Sequence, residues 1–531
     1  MSSVELARTV VATLAAQGVR HVVLSPGSRN APLSLALAGA EDEGLINLHV
    51  RVDERSAGFI ALGLARATAA PVAVVTTSGT AVGNLLPAVM EAAHSGVPLL
   101  VLSADRPSSM LNSGANQTTR QDRLLGEPAL ECIRVSSDSG GPADWRHQLR
   151  RAVVLASGAR TRRPGPVQVN VELAAPLVGP ELNEPLAVVE PFEVSVPGAA
   201  EPVLMGGPAR TVVVAGDAPV MTGRAAVEFA EALGAPLLAE PSSNARRGPN
   251  AIAGYRMLLG HLATDIERVV VFGRPTLSRP VSALLARQDV ELVMVATGAD
   301  WVDPGHAAAR VVDAVRAAEP GPREWLDQWQ TADRELAADL DAGPEPSAGA
   351  LAPRTAMGAL WSSLRGEDVV LLGSSNPIRD ADLAPISDAP PQVFANRGLA
   401  GIDGTISTGI GLALGLQRPV TVVLGDLTFL HDVSALGIGD LERRPDLRVV
   451  VLDDHGGSIF HGLEQGAPDY ARHFERVFAT PQAVDLAAVA AGFGARVRSV
   501  DSAEELSAAV ASPPVGVEVV VVPVDRSGRR G

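Results

Sequence analysis

The sequence predicts an α/β protein built from three doubly wound parallel-sheet domains. Apolar runs of strand length alternate with alanine-rich helical stretches, which is typical of a parallel sheet covered by helices on both faces. The alternation occurs in three series, separated by a proline-rich stretch and a polar stretch. The chain has 531 residues, which is too long for one hydrophobic core and favours several domains.

The first series begins with a helix and continues with strands. Ser2 and Glu5 have the spacing of a capping box, and an apolar stripe follows at helical spacing. The strand candidates are HVVLSP (21–26), VAVVTT (72–77), VPLLVLSA (97–104) and VQVNVEL (167–173). Residues 176–208 contain seven prolines and little periodicity, so we interpret them as a linker. The first domain is therefore placed at residues 1–178.

Two further strand series follow this linker. The second consists of TVVVAGDAP (211–219), APLLAE (235–240), RVVVFGRP (268–275) and VELVMVATG (290–298). The third consists of DVVLLGSSNP (368–377), VTVVLGDLTF (420–429), LRVVVLDDHGG (447–457) and VGVEVVVVPVD (515–525). A polar stretch at 340–353 separates the two series, so we place the second domain at 205–335 and the third at 350–531.

Composition excludes several classes of function. The net charge is −16 and the chain contains no lysine, so it lacks the basic stripe that general nucleic-acid binding requires. The sequence predicts neither a membrane span nor a signal peptide. The single cysteine, Cys132, suits a reducing compartment, which makes the cytoplasm the expected location. Without lysine, an anionic substrate must be held by arginine, histidine, backbone amides or a metal.

Two neighbouring strand candidates of the third series end in carboxylates and glycines. They are followed by Gly425-Asp426 and by Asp453-Asp454 with Gly456-Gly457. Ligands of parallel sheets bind beyond the carboxyl ends of the strands, and Mg²⁺ prefers oxygen ligands completed by substrate phosphates. Thr428 and the following helix start could donate to such a phosphate. Each aspartate alone could be an ordinary turn residue or helix cap, but the repeated pattern favours a metal site.

These two motifs resemble the signature of thiamine-diphosphate-dependent enzymes, in which a Gly-Asp-Gly is followed later in the chain by an Asn-Asn. The resemblance implies that Asp426, Asp454 and the carbonyl of Gly456 hold Mg²⁺ against the diphosphate of the cofactor. The sequence departs from the signature at Leu427, which replaces the last glycine, and at Asp454, which replaces an asparagine. The second departure leaves the preference between Mg²⁺ and Mn²⁺ open.

The same resemblance implies a glutamate in the first domain that hydrogen-bonds the aminopyrimidine ring. Glu54 lies in HVRVDERSAGF (49–59), just after a strand and at the start of a helical run. A carboxyl group on the ring nitrogen favours the imino tautomer, whose nitrogen removes the thiazolium proton. Alone, Glu54 would be an ordinary acidic residue at a helix start. With the metal motif present, we assign it a catalytic role.

Longer motifs resemble one family of these enzymes, the 2-succinyl-5-enolpyruvyl-6-hydroxy-3-cyclohexene-1-carboxylate synthases of menaquinone biosynthesis. They include LSPGSRNAPL (24–33), TTSGTAVGNLLPAV (76–89), SADRP (103–107), GANQT (114–118), GSSNPIRD (373–380) and ANRGLAGIDGT (395–405). The resemblance implies decarboxylation of 2-oxoglutarate and 1,4-addition of the succinyl-semialdehyde carbanion to isochorismate. It also implies a thiamine-diphosphate-binding fold with pyrimidine-binding, central and diphosphate-binding domains in that order. A homodimer or homotetramer is implied too.

Two such substrates carry four carboxylates, which favours recognition by several arginines. Arginines occur in four loop-like motifs after strand candidates. The resemblance implies that Ser28, Arg29, Arg106, Gln117, Ser375, Arg379 and Arg397 face the substrates or the reaction intermediate. Any single arginine could instead be a solvated surface charge, and Arg279 is a weaker candidate because its segment matches poorly.

Three apolar residues complete the expected site. The resemblance implies that Ile402 supports the folded conformation of the cofactor, and that Ile459 and Phe460 cover its pyrimidine and thiazolium side. Ordinary core packing is the alternative for each.

Two other functions stay open. Another thiamine-dependent carboligase or 2-oxoacid decarboxylase would share Glu54 and Asp426 without needing the arginine loops. A catalytically silent binding or regulatory paralogue is the second.

Overall fold

A computed structural model of the protein describes residues 2–198, 200–341 and 350–526. It contains three parallel sheets of six, five and six strands, and one further pair of short parallel strands. The predicted α/β class with three parallel sheets is therefore confirmed. Among the described residues, no helix combines the length and the hydrophobicity that a membrane span needs.

Four of the six strands of the first sheet lie where the apolar runs placed them, and a fifth, Asn47–Val50, is the strand expected shortly before Glu54. Its strands are β1 (His21–Leu24), β2 (Asn47–Val50), β3 (Val72–Thr76), β4 (Leu99–Asp105), β5 (Cys132–Ser136) and β6 (Val167–Glu172), in the order β2-β1-β3-β4-β6-β5. Its helices are α1 (Ser3–Ala16), α2 (Ala31–Asp42), α3 (Glu54–Thr68), α4 (Thr80–Gly83), α5 (Leu86–Ser95) and α6 (Pro142–Ser157). No strand was predicted at β5, an edge strand that exposes Arg134 between two buried residues.

The predicted N-terminal helix is α1. The hydroxyl of Ser2 accepts a hydrogen bond from the backbone amide of Glu5 at 3.0 Å, as the capping spacing indicates. The apolar stripe, which includes Val4, Val11 and Leu14, is buried in the core on one face of the first sheet. Capping and stripe together fix where this helix begins and which side it buries.

The second sheet lies in the middle of the chain. Its strands are β8 (Thr211–Ala215), β9 (Leu237–Ala239), β10 (Arg268–Phe272), β11 (Glu291–Val295) and β12 (Ala308–Val312), in the order β12-β11-β10-β8-β9. The separate pair consists of β7 (Val203–Met205) and β13 (Val315–Ala317). The helices are α7 (Val220–Leu233), α8 (Tyr255–Leu262), α9 (Arg279–Leu285) and α10 (Arg323–Asp341). The four predicted strands are β8 to β11, whereas β7 lies in the segment that we interpreted as a linker.

The third sheet contains the strands that end in carboxylates. Its strands are β14 (Val369–Leu372), β15 (Gln392–Ala395), β16 (Val420–Gly425), β17 (Leu447–Asp453), β18 (Arg496–Ser499) and β19 (Val517–Pro523), in the order β15-β14-β16-β17-β19-β18. The helices are α11 (Pro353–Ser363), α12 (Asn376–Ala381), α13 (Thr405–Leu416), α14 (Asp426–His431), α15 (Ala471–Phe474), α16 (Leu486–Gly492) and α17 (Ala503–Val510). The four predicted strands are the interior ones, and both edge strands were missed.

In each sheet the strand order reverses at a point beside the strand that comes first in the sequence. These points lie between β1 and β3, between β8 and β10, and between β14 and β16. Loops diverge there and leave a crevice at the carboxyl ends of the strands, where ligands of open α/β sheets bind. The loop with Arg29 follows β1, the segment with Arg379 follows β14, and Asp426 follows β16.

The chain divides into two compact units. One unit comprises Met1–Pro197, Gly398–Arg418 and His431–Leu447, and the other comprises Gly198–Arg397, Pro419–Leu430 and Arg448–Gly531. The three-domain division at 1–178, 205–335 and 350–531 stays a prediction.

Candidate active site

Two buried aspartates lie at the carboxyl ends of β16 and β17. Asp426 is the first residue of α14 and is 4% exposed, and Asp454 directly follows β17 and is 8% exposed. Burial, together with the nearby charges of Asp454 and Asp453, raises the pKa of Asp426 to about 7. Neighbouring buried carboxylates repel each other, and a divalent cation between them would remove that cost. The pair therefore fits the predicted metal.

The loop after β17 brings its main chain close to another segment of the same unit. Gly456 has a φ of +126°, and a Cβ there would clash with the carbonyl oxygen of Ala479. The amide of Gly457 donates to that same carbonyl at 2.6 Å. Only glycine fits at position 456, and the backbone amide of this buried residue hydrogen-bonds the carboxylate of Asp426. A metal-ligand role for its carbonyl stays a prediction.

Side-chain chemistry around the aspartates is polar and ordered. Asp454 accepts a hydrogen bond from the hydroxyl of Ser458, which in turn accepts one from Nδ2 of Asn376 at 2.6 Å. Thr428 lies on α14 and is 3% exposed. The described residues contain no group of three or more His, Cys, Asp or Glu side chains that could hold a metal. The predicted ligand set has only two carboxylates, and its third ligand is a main-chain oxygen.

At Gly425, the last residue of β16, the neighbouring atoms would leave room for a side chain. The nearest atom to a Cβ built there is the carbonyl oxygen of Leu452, at 3.9 Å. A glycine at this strand end therefore keeps space open beside Asp426, which is consistent with the predicted role in cofactor binding.

Arg379 and Arg397 lie within electrostatic reach of each other in the second unit. Burial lowers the pKa of Arg379, and the charges of Arg397 and Arg256 lower it further. The guanidinium of Arg379 donates to the carbonyl of Ser375 at 2.8 Å, and Ser375 has a φ of +81°, a region that favours glycine. Buried cations that repel each other are stabilised by a bound anion. The structure therefore brings together the two arginines that were predicted here.

Arg256 is a member of this cluster that sequence analysis missed. Its Nη1 lies 3.2 Å from the carbonyl of Arg379 and 3.4 Å from the carboxylate of Asp382. Arg256 is on α8, and its neighbours in the sequence are those of an ordinary amphipathic helix. No motif or spacing in the sequence indicated it.

A second pair of arginines lies in the first unit. Arg29 donates to the carbonyl of Leu173 at 2.8 Å, and burial followed by the charge of Arg106 lowers the pKa of Arg29. Arg106 is 9% exposed and donates to the carbonyl of Gln117 at 2.8 Å and to the hydroxyl of Ser78 at 2.7 Å. The predicted residues Arg29, Arg106 and Gln117 are therefore neighbours.

The remaining polar groups of this cluster are partly explained by the sequence. Ser28 is exposed on the loop that carries Arg29. Ser78 was not predicted individually, although it lies in the motif TTSGT that supported the family resemblance. The Nε of Arg29 and the hydroxyl of Ser25 are buried and have no hydrogen-bond partner among the described residues. Such groups favour a polar ligand at this place.

Glu54 is the first residue of α3, directly after the cap residue of the helix. Asp53 caps α3 by accepting from the backbone amide of Arg55 at 2.9 Å, and it also accepts from the hydroxyl of Ser434 at 2.7 Å. Glu54 is half-buried, and its Oε2 accepts a hydrogen bond from Asn84 at 3.1 Å. The helix start therefore holds the Glu54 carboxylate at a fixed place, as its predicted role requires. Asn84 was not predicted.

Ile402 lies on the turn that leads into α13, in the same unit as Glu54. Gly404 in this turn has a φ of +59°, and a Cβ there would clash with the ring of Phe59 on α3. Glu91 on α5 holds the start of the same segment, because its carboxylate accepts from the amides of Gly398 and Leu399, both at 2.8 Å. The backbone around the half-buried Ile402 is thus fixed on both sides.

Ile459 and Phe460 follow the metal loop in a short 3₁₀ segment, Ser458–Gly462. Both are half-buried, and the ring of Phe460 lies 5.8 Å from that of Phe478. Their side chains are therefore neither fully in the core nor free in solvent, which suits a role against a ligand. That role stays a prediction.

Comparison with known proteins identifies the family. The N-terminal TPP-binding domain of thiamine pyrophosphate enzymes matches residues 4–124, and the C-terminal TPP-binding domain of these enzymes matches residues 381–522. Thiamine pyrophosphate is another name for thiamine diphosphate.

Several relatives are similar over the full chain, and all three named here are called 2-succinyl-5-enolpyruvyl-6-hydroxy-3-cyclohexene-1-carboxylate synthase. The protein from Arthrobacter sp. is 46% identical over 100% of this chain and 90% of its own length. The protein from Kineococcus radiotolerans is 48% identical over 98% of this chain and 95% of its own length. The protein from Leifsonia xyli is 42% identical over 98% of this chain and 96% of its own length. The chain therefore belongs to the 2-succinyl-5-enolpyruvyl-6-hydroxy-3-cyclohexene-1-carboxylate synthase family of thiamine-diphosphate enzymes.

Proposed function

We propose that the protein decarboxylates 2-oxoglutarate and adds the remaining four-carbon unit in a 1,4 fashion to isochorismate. The products are CO₂ and 2-succinyl-5-enolpyruvyl-6-hydroxy-3-cyclohexene-1-carboxylate, an intermediate of menaquinone biosynthesis. The reaction uses thiamine diphosphate and Mg²⁺, or Mn²⁺ in its place. We further propose that the enzyme acts in the cytoplasm as a homodimer or homotetramer.

The observation that carries this proposal is that the predicted arginines are partly or fully buried and form no close ion pair among the described residues. In the described part of the chain, none of Arg29, Arg106, Arg379 and Arg397 forms an ion pair with an aspartate or glutamate. Arg106 and Arg397 are nevertheless 9% and 4% exposed. Glu240 attracts Arg397, and Asp382 attracts Arg379, only from beyond ion-pair distance, so a bound anion would stabilise these buried charges further. The carboxylates of 2-oxoglutarate and isochorismate are such anions.

The residues at the ends of β16 and β17 fit the cofactor and its metal. Asp426, Asp454 and the carbonyl of Gly456 would hold the cation against the diphosphate, and Thr428 and Ser375 would add polar contacts. When bound, thiamine diphosphate supplies the electron sink that allows a bond next to a carbonyl to break. The raised pKa of Asp426 supports this fit, because a cation at that place favours the ionised carboxylate.

Other side chains prepare the proton transfer and keep water away. Glu54 would hold a proton at the ring nitrogen of the aminopyrimidine, and the hydrogen bond from Asn84 keeps its carboxylate in place. Ile402 would support the folded conformation of the cofactor, and Ile459 and Phe460 would cover its pyrimidine and thiazolium side. An apolar cover strengthens the ionic contacts between the arginines and the substrate carboxylates.

The experiment that tests the proposal combines the protein with thiamine diphosphate, Mg²⁺, 2-oxoglutarate and isochorismate. Mass spectrometry should detect the expected product, together with one CO₂ for each molecule formed. Product formed from pyruvate but not from 2-oxoglutarate would indicate another thiamine-dependent carboligase. Absence of any decarboxylation would indicate a catalytically silent paralogue. Omitting the metal, or replacing Mg²⁺ by Mn²⁺, measures the metal preference, and light scattering measures the number of subunits.

A further inference from the structure

We propose that Glu240 is a positioning residue for Arg397, and that the loop 240–246 of the second sheet sets the geometry of the substrate arginines. This inference rests on the proposed function, because it assigns Arg397 to a substrate carboxylate. The loop follows β9 and contains none of the predicted site residues. Its effect on the reaction is therefore indirect.

The first step of the argument is how Arg397 is held. Its Nη2 donates to the carbonyl of Thr276 at 3.1 Å and to the hydroxyl of Thr276 at 3.0 Å, and its Nε lies 3.3 Å from the same hydroxyl. Thr276 is in the loop that follows β10. Thr276 alone thus accepts hydrogen bonds from two nitrogens of the guanidinium. The position of Thr276 therefore determines the direction in which Arg397 points.

The second step is how Thr276 is held. Glu240 is 2% exposed, and its two carboxylate oxygens accept from the backbone amides of Leu277 at 2.8 Å and Thr276 at 3.3 Å. Removing this side chain would leave two amides without their partner in a buried place, which is unfavourable. The turn would then rearrange, and the acceptors of Arg397 would move with it. Burial raises the pKa of Glu240 to about 8, although the hydrogen bonds from these amides and the charge of Arg397 oppose that shift.

The third step is that the same loop forms hydrogen bonds with the segment before Arg397 at two further points. The side-chain amide of Asn244 accepts from the backbone amide of Val393 at 2.9 Å and donates to its carbonyl at 3.0 Å. Arg246 donates to the carbonyl of Ala384 at 2.6 Å. Val393 is on β15, which leads directly to Arg397. The loop therefore fixes both the strand and the side chain.

Such support matters because the charge of Arg379 repels Arg397, although the carboxyl group of Glu240 attracts it. The charges of Arg397 and Arg256 contribute to the lowered pKa of Arg379, after burial. Without fixed acceptors, the guanidinium of Arg397 would turn away from its like-charged neighbours when no substrate is bound. Holding it in place in advance reduces the ordering cost of substrate binding. Loss of the support should therefore raise KM more than it lowers kcat.

Steady-state kinetics of Glu240→Ala, Glu240→Gln and wild type test the inference. Glu240→Ala should lower kcat/KM by about tenfold for at least one substrate, mainly through KM, which is a typical effect of leaving a buried amide without its hydrogen-bond partner. Glu240→Gln keeps an oxygen for the Leu277 amide and should recover most of the loss. Glu518→Ala is the matched control: it removes a buried carboxylate that pairs with Arg448 at 2.5 Å, near the starts of β17 and β19. It should lower thermal stability without changing KM.

A double-mutant cycle separates positioning from general damage. In an Arg397→Ala background, Glu240→Ala should have little further effect on kcat/KM, because its target is gone. If the two effects simply add, Glu240 does not act through Arg397 and the inference is wrong. If Glu240→Ala does not fold, Thr276→Val takes its place. It removes the hydroxyl acceptor and should raise KM, and an unchanged KM would count against the inference.

Hydrogen exchange gives a readout that needs no turnover. The amides of Thr276 and Leu277 should exchange faster in Glu240→Ala than in wild type, while amides on β17 should not change. Unchanged exchange at 276–277 would overturn the positioning role even if the enzyme is active. Absence of wild-type turnover would instead overturn the proposed function, so the two failures are distinguishable.

Discussion

Arg397→Ala removes a guanidinium that is 4% exposed and that we assign to a substrate carboxylate. Truncating one partner of a desolvated charge pair costs about 2–5 kcal/mol. This range corresponds to roughly 30-fold to several-thousand-fold in kcat/KM. Arg379 and Arg256 remain in the cluster and would neutralise part of the substrate charge. We therefore expect a loss at the lower end, at least about 30-fold for 2-oxoglutarate or isochorismate.

The same change should leave the fold and the cofactor site intact. Removing Arg397 relieves a repulsion that contributes to the lowered pKa of Arg379, which offsets the hydrogen bonds lost to Thr276. The melting temperature should therefore change little. The affinity for thiamine diphosphate should stay within a few-fold of wild type, because the diphosphate is assigned to Asp426, Asp454 and the metal.

Steady-state kinetics with both substrates, calorimetry with thiamine diphosphate and a thermal melt measure these three quantities. Arg287→Ala is a matched control, because Arg287 pairs with the exposed Asp289 in the same unit. That variant should keep wild-type kinetics. If Arg397→Ala turned over both substrates normally, Arg397 would have no contact with a substrate carboxylate, and the assignment of this cluster would be wrong.

Three further changes have defined outcomes. Glu54→Gln keeps the shape of the side chain but cannot support the proton transfer, so kcat should fall by at least about 100-fold. The affinity for thiamine diphosphate, measured by calorimetry, should change much less. A near-normal kcat would remove Glu54 from the mechanism. Asp426→Ala should weaken thiamine diphosphate binding, with only partial recovery in excess Mg²⁺, and unchanged affinity would contradict the metal assignment. Asp432 accepts from the amide and hydroxyl of Ser407, and burial raises its pKa from 3.8 to about 7. The folded state therefore keeps a proton that the unfolded state releases, so stability from this group falls as the pH rises through that range. The melting temperature of Asp432→Asn relative to wild type should increase between pH ~4 and ~7, and a constant difference would show that Asp432 does not titrate there.

The interior strands could be predicted because their apolar runs are continuous. β16 and β17 are buried along nearly their whole length, and the runs end directly before Asp426, which begins α14, and Asp454, which begins a loop. Edge strands gave weaker patterns. In β18, Arg496 and Arg498 are exposed and interrupt the apolar residues, and in β15 fully buried residues alternate with half-buried ones. A strand that is half exposed carries too few buried positions to be distinguished from a loop.

Only some residues of the candidate site could be predicted from the sequence. Residues that belong to short local motifs, such as Glu54 and Arg397, could be selected from the sequence. Arg256 and Glu240 could not, because they act through contacts with residues far away in the chain. Arg256 reaches the carbonyl of Arg379 across 123 positions, and Glu240 reaches Leu277 across 37 positions. No spacing within a motif reports such contacts.

Donor competition tests the central claim most directly, namely that the arginines select a substrate with a distal carboxylate. Equal concentrations of 2-oxoglutarate and pyruvate are supplied with isochorismate, and mass spectrometry measures the ratio of the two addition products. That ratio equals the ratio of kcat/KM values for the two donors. A distal carboxylate held by a desolvated arginine is worth about 2 kcal/mol or more, so 2-oxoglutarate should be preferred by at least about 30-fold. Equal use of both donors, or a preference for pyruvate, would contradict the assignment.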